Sequence, residues 1–119
     1  METRIATETA LDTYKAVRRR FFEAGDIVFG PGFLSMAEYY FMKKNGHNPF
    51  AMLFSEPRAV YDEWVRMFKG EEAVRKLLEE AVGPGYVRVL EGIKRNNGLE
   101  VWNSLYKMAS SASGRMAVA

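Results

Sequence analysis

The side chains able to do chemistry in this chain of 119 residues are few and scattered. Cysteine is absent, which excludes disulfides, iron–sulfur clusters, thiolate zinc sites and thiol catalysis. His47 is the single histidine, and an imidazole can act as a general base or a metal ligand. No carboxylate lies within eight residues of it on either side, and Asn45-Gly46-His47-Asn48-Pro49 has the composition of a turn. A loop or helix-entry position is therefore expected for His47. Asp62-Glu63, Glu71-Glu72 and Glu79-Glu80 are adjacent carboxylate pairs, and neighbours on a helix diverge by about 100°. Catalytic carboxylates usually come from separated positions that the fold brings together in a pocket. Glu38 sits among Ala37, Tyr39 and Tyr40, where it is either desolvated or turned to water, and the water-facing position is the ordinary one. The inventory thus predicts no catalytic residue, no cofactor and no metal site.

Charge offers a second class of function. Seventeen Lys and Arg stand against fifteen Asp and Glu, a formal excess of two. The local cluster is Lys15, Arg18, Arg19 and Arg20, of which Lys15, Arg18 and Arg19 are nearly cofacial on a helix. These three are the candidate phosphate contacts if the first helix binds nucleic acid; otherwise they form a solvated face. Gly25, Gly30 and Gly32 match neither the Walker nor the dinucleotide pattern, and a helix stop and turn account for them. The helix start after them would still offer free N–H groups to an anion, as any exposed helix start does.

Apolar surface offers a third. Eight Phe, six Tyr, two Trp and seven Met exceed what a helical domain of this length must bury. Met36, Tyr40, Phe41, Phe50, Phe54, Trp64 and Met67 are the candidate lining of an apolar interface or pocket. The leading expectation is a non-enzymatic interaction module that self-associates, a dimer being favoured. Binding of a small apolar ligand between helices is the alternative. No stretch of apolar residues is long enough to span a bilayer and the N-terminus lacks a signal pattern, so a cytoplasmic location without membrane contact is expected.

The elements that must position these residues read as an all-α bundle of five to seven short helices. Tyr14, Val17, Phe21 and Val28 give helical spacing over about Arg4 to Phe29, which Gly30-Pro31-Gly32 stops. A second helix is expected over about Pro31 to Lys44, ended by Asn45-Gly46. Asn48-Pro49 opens a short helix through Phe54; further helices are expected over about Pro57 to Lys69 and Glu71 to Val82. Gly83-Pro84-Gly85 is a strong break. Beyond it two readings stand. Tyr86, Val89, Leu90 and Ile93, then Val101, Trp102, Leu105 and Met108, form helical stripes, with Asn97 and Glu100 spaced as a capping box. Alternatively Asn97-Gly98 turns a β-hairpin over 86–108, with Ile93 opposite Trp102. The helical reading is preferred. Residues 1–109 are read as one domain and 110–119, small and polar, as a flexible tail.

With Phe29-Gly30-Pro31-Gly32, Tyr40, Gly46 and Glu56-Pro57-Arg58-Ala59-Val60-Tyr61 in this order, the stretch from Phe29 to Val82 resembles a small archaeal family, the nitrosopumilus output domain. The likeness rests on Phe29-Gly30-Pro31-Gly32 opening a helix with Tyr40 near its end, and on Gly46 before Phe50 to Phe54. It continues through Glu56-Pro57-Arg58-Ala59-Val60-Tyr61 and Met67-Phe68-Lys69-Gly70 with Glu72-Ala73. Lys69 before Gly70 departs from the family pattern by one residue. The resemblance implies an all-helical module that senses or transmits, and it brings no catalytic residues.

Overall fold

The computed structural model describes the backbone of residues 2–118 and the side chains of residues 11–108. Helix α1 (Glu2–Phe29) is the central element, packed against α2 (Phe33–Asn45), α3 (Pro49–Met52), α5 (Glu71–Val82) and α7 (Gly98–Val118). Its buried stripe is Thr13, Val17, Phe21 and Ala24, and Leu11 points outward. The second helix starts at Phe33 rather than Pro31, because Gly32 takes a left-handed φ of 79° as its N-cap. Asn48 caps α3, accepting a 2.8 Å bond from the Phe50 N–H through Oδ1, with Pro49 as the first helical residue.

Phe50 inserts into an aromatic core. Its ring centroid lies 5.6 Å from that of Phe21 and 5.9 Å from that of Trp64. Trp64, on α4 (Pro57–Phe68), stacks in turn on Phe68 at 5.9 Å, and Phe68 meets Phe29 at 4.9 Å. Val74, Leu77, Leu78 and Ala81 close this core from α5. The Trp64 Nε1 has no acceptor, a desolvation cost of about 1–3 kcal/mol that the ring's packing offsets.

After Gly83-Pro84-Gly85 the chain is helical, as α6 (Tyr86–Lys94) and α7, and no strand occurs among the described residues. The hairpin alternative over 86–108 is thereby corrected, and the physical reason lies in three consecutive residues. Asn96 adopts a left-handed φ of 55°, and the Asn97 N–H bonds back to the Gly92 carbonyl, which terminates α6. Asn96 Oδ1 then accepts from the Arg58 N–H at 3.2 Å, capping α4, whose own N-cap residue Glu56 provides no side-chain bond. Asn97 Oδ1 accepts from the Glu100 N–H at 3.1 Å and caps α7. Gly98 passes so close to the turn after α3 that a Cβ there would lie 2.4 Å from the Phe54 carbonyl oxygen. The buried residues that follow, Val89, Gly92 and Ile93 on α6 and Val101 and Leu105 on α7, keep the helical period. The flexible tail expected at 110–119 falls where the side chains lie outside the described residues; the backbone of α7 is helical to Val118.

A Gly98→Ala substitution is expected to cost about 1–3 kcal/mol, since backbone, not a pliable side chain, occupies the space. Gly85→Ala meets nothing within 4 Å and should leave stability nearly unchanged. Urea unfolding of the two variants checks this; equal midpoints would show that the approach of α7 to the turn after α3 is looser than the structure has it.

Candidate functional site

The three candidate phosphate contacts share one open groove between α1 and α2, of about 760 Å³. Their chemistry there is unequal. Arg18 forms a two-pronged pair with Glu38, Nε to Oε2 at 2.8 Å and Nη2 to Oε1 at 2.9 Å. Its guanidinium also lies 4.2 Å above the Phe22 ring. Asn48 Nδ2 donates to the same Glu38 Oε2 at 2.8 Å, so the Asn48 that caps α3 also holds the carboxylate on α2. Lys15 and Arg19 are exposed, and Glu23 lines the groove with Glu38. Three cations facing two carboxylates make a weak anion site. Arg20 turns away, its Nε donating to the Ala81 carbonyl at 3.3 Å.

Glu38 therefore corrects the water-facing expectation: only 9% of it is exposed. Burial pushes its carboxyl up, but the hydrogen bonds from Arg18 and Asn48 more than reverse this and hold it below the ordinary value. Burial, reinforced by the Glu38 charge, raises the neighbouring Tyr14 hydroxyl. The partners of Glu38 lie twenty residues before it and ten after it, and no local spacing rule announces them.

The apolar candidates divide. Phe41, Phe50 and Trp64 belong to the core and are corrected as interface or pocket residues, because their helices turn them inward against α1. Phe54 is half-buried, edge-on to Trp102 at 4.9 Å. Met67 and Tyr40 border a shallow depression of about 300 Å³ between α2 and α4. Met36 and Tyr40 are exposed, joined there by Tyr39, which was not among the candidates, whereas the exposed Met42 borders the Arg18 groove. The signal for Tyr39 was present: residues at 36, 39, 40 and 43 share one helical face.

His47 occupies an exposed bend and borders a depression with the single carboxylate Glu56. Among the described residues, no three His, Asp or Glu are grouped to hold a metal, and no helix is long and apolar enough to cross a membrane. At the start of α2, Asp26 Oδ1 accepts from the Gly32 N–H at 3.2 Å, so a carboxylate already occupies that helix start.

The described residues form an all-α bundle of seven helices whose exposed features include an apolar helix face and charged grooves. No family model, no curated protein and no solved structure matches the chain.

The Arg18–Glu38–Asn48 cluster makes stability depend on pH. With its folded value depressed, Glu38 contributes fully above its unfolded pKa of about 4.3, and the contribution is lost as pH falls through the lower folded value. Glu38→Gln is expected to cost about 1–2 kcal/mol at neutral pH, discounted because Arg18 is partly exposed, and to flatten the acid limb of a stability–pH profile. Chemical denaturation between neutral pH and about pH 3 measures both; an acid limb identical to that of the unaltered protein would remove Glu38 as its source.

Proposed function

We infer that this protein is a non-enzymatic regulatory module that acts in the cytoplasm as a homodimer joined through the outer face of α2. One observation carries the reading: Met36, Tyr39 and Tyr40 remain 52%, 61% and 54% exposed although the core is complete without them. Three large side chains within five residues on one face of a helix form a patch of the kind that marks an interaction surface. Tyrosine and methionine are also the side chains enriched where proteins meet.

In the proposed dimer the face pairs with its own copy. About a two-fold axis through Tyr39 and Tyr40, an antiparallel copy sets each aromatic pair on the other and lays the Lys43 stem over the partner's Met36. The basic end of α2, with Lys43 and Lys44, then approaches the opposite end of the partner helix, where its Asp26 carboxylate lies. A sensing or transmitting role, the expectation from the resemblance stated for residues 29–82, is part of the same proposal.

Sedimentation equilibrium on the unaltered protein should give twice 13.6 kDa. Tyr39→Glu combined with Tyr40→Glu should give 13.6 kDa with an unchanged melting temperature, since neither ring is in the core. A monomer persisting at about 100 μM, or a dimer that survives the double substitution, would overturn the reading.

A further inference from the structure

A second surface feature lies at the far side of α1 from the Arg18 groove. A cleft of about 490 Å³ opens beside the Gly83-Pro84-Gly85 turn. Arg20 of α1, Arg88 of α6 and Lys107 of α7 line it, and no carboxylate does so among the described residues. The three charges exceed the formal net charge of the whole chain, which is +2.

Several cations elsewhere pair with acids: Lys44 with Glu63, Arg58 with Asp62 and Arg75 with Glu72 and Glu79. None of the ion pairs among the described residues includes Arg20, Arg88 or Lys107. Converged like charges raise the free energy of the folded chain, and an anion between them lowers it. The Arg20 guanidinium is steadied by its Nε bond to the Ala81 carbonyl, which leaves its two terminal nitrogens to donate. Helix α6 begins at this cleft without a side-chain cap, so its positive end adds to the same field. Ser104 supplies a hydroxyl on the α7 wall.

The cleft is not purely polar. Val82, Val89 and Met108 give it an apolar wall beside the cations. Its size falls in the range of small-molecule sites. We propose that this cleft binds a small phosphomonoester, the dianionic phosphate held by Arg20, Arg88 and Lys107 and a compact apolar or aromatic body lying against Val82, Val89 and Met108. Arginine forks suit phosphate oxygens, and three cations balance a dianion where a single surface lysine would not. The site is independent of the α2 face, and each can fail without the other.

Amide chemical shifts of the full chain, titrated with phenyl phosphate, test this. The expected result is a saturable one-to-one response confined to residues 83–88, 104–108 and the neighbourhood of Arg20, with inorganic phosphate and phenol each binding more weakly. Arg88→Gln combined with Lys107→Gln, both exposed positions, should weaken binding at least about tenfold. Lys15→Gln combined with Arg19→Gln removes the same charge from the other groove and should leave affinity unchanged. No saturable response, or equal loss in both double variants, would overturn the proposal. Co-sedimentation with phosphatidylcholine vesicles containing phosphatidic acid separates a free phosphomonoester from a lipid headgroup: vesicle binding without phenyl phosphate binding also overturns it.

Discussion

The aromatic contact between Phe21, Phe50 and Trp64 is what the other elements lean on. Each ring comes from a different helix, and each centroid lies 5.6–5.9 Å from the other two. Burying rings of this size contributes about 2–3 kcal/mol apiece, more than any single polar contact on the surface. The dependence is clearest for α3, which has only four residues and no independent stability at that length. It exists because Asn48 caps it and because Phe50 fills the space between α1 and α4. Trp64 passes the contact on to Phe68 and Phe29, so the end of α1 and the end of α4 are tied into the same column.

Around this core, single polar residues connect helices that are too short to stand alone. Glu38 receives hydrogen bonds from α1 and from the α2–α3 turn, and Asn48 serves Glu38 and the first turn of α3 at once. At the opposite end, Asn96 closes α6 and caps α4, while Asn97 caps α7. Arg58 adds a bond to the Lys94 carbonyl and lies 5.4 Å over the Tyr61 ring. These bonds satisfy helix ends that would otherwise be left open, and they fix which ends lie together.

The two surfaces proposed to bind are both consequences of α1. Arg18 and Arg20 are two residues apart and so point about 200° apart. One completes the cluster that holds α2 in place and thereby presents Met36, Tyr39 and Tyr40 outward. The other closes the cationic cleft beside the α5–α6 turn. The same consecutive basic residues thus give a structural ion pair on one side and a charged hollow on the other.

The helix inventory was legible in the sequence because its stops are local. Gly30-Pro31-Gly32, Asn45-Gly46, Pro57, Gly70 and Gly83-Pro84-Gly85 act through backbone conformation or a missing N–H, which need no distant partner. Asn97-Gly98 was ambiguous for the same reason: an Asn-Gly pair turns a hairpin or joins two helices equally well. Only the arrival of the α4 start at Asn96 and of the Phe54 carbonyl at Gly98 decided it. On α2, large side chains run around most of the helix, so periodicity could not say which face is inner. Leu34, Ala37 and Phe41 became the inner face by packing into the core, with Arg18 and Asn48 holding Glu38 beside them. The cationic cleft draws its three charges from residues 20, 88 and 107, a separation that only the packing of α1, α6 and α7 removes. The sequence determined where the chain turns, since turning is a property of neighbouring residues. The tertiary structure decided which charges and which apolar faces meet or stay exposed, since that depends on helix ends brought together from distant parts of the chain.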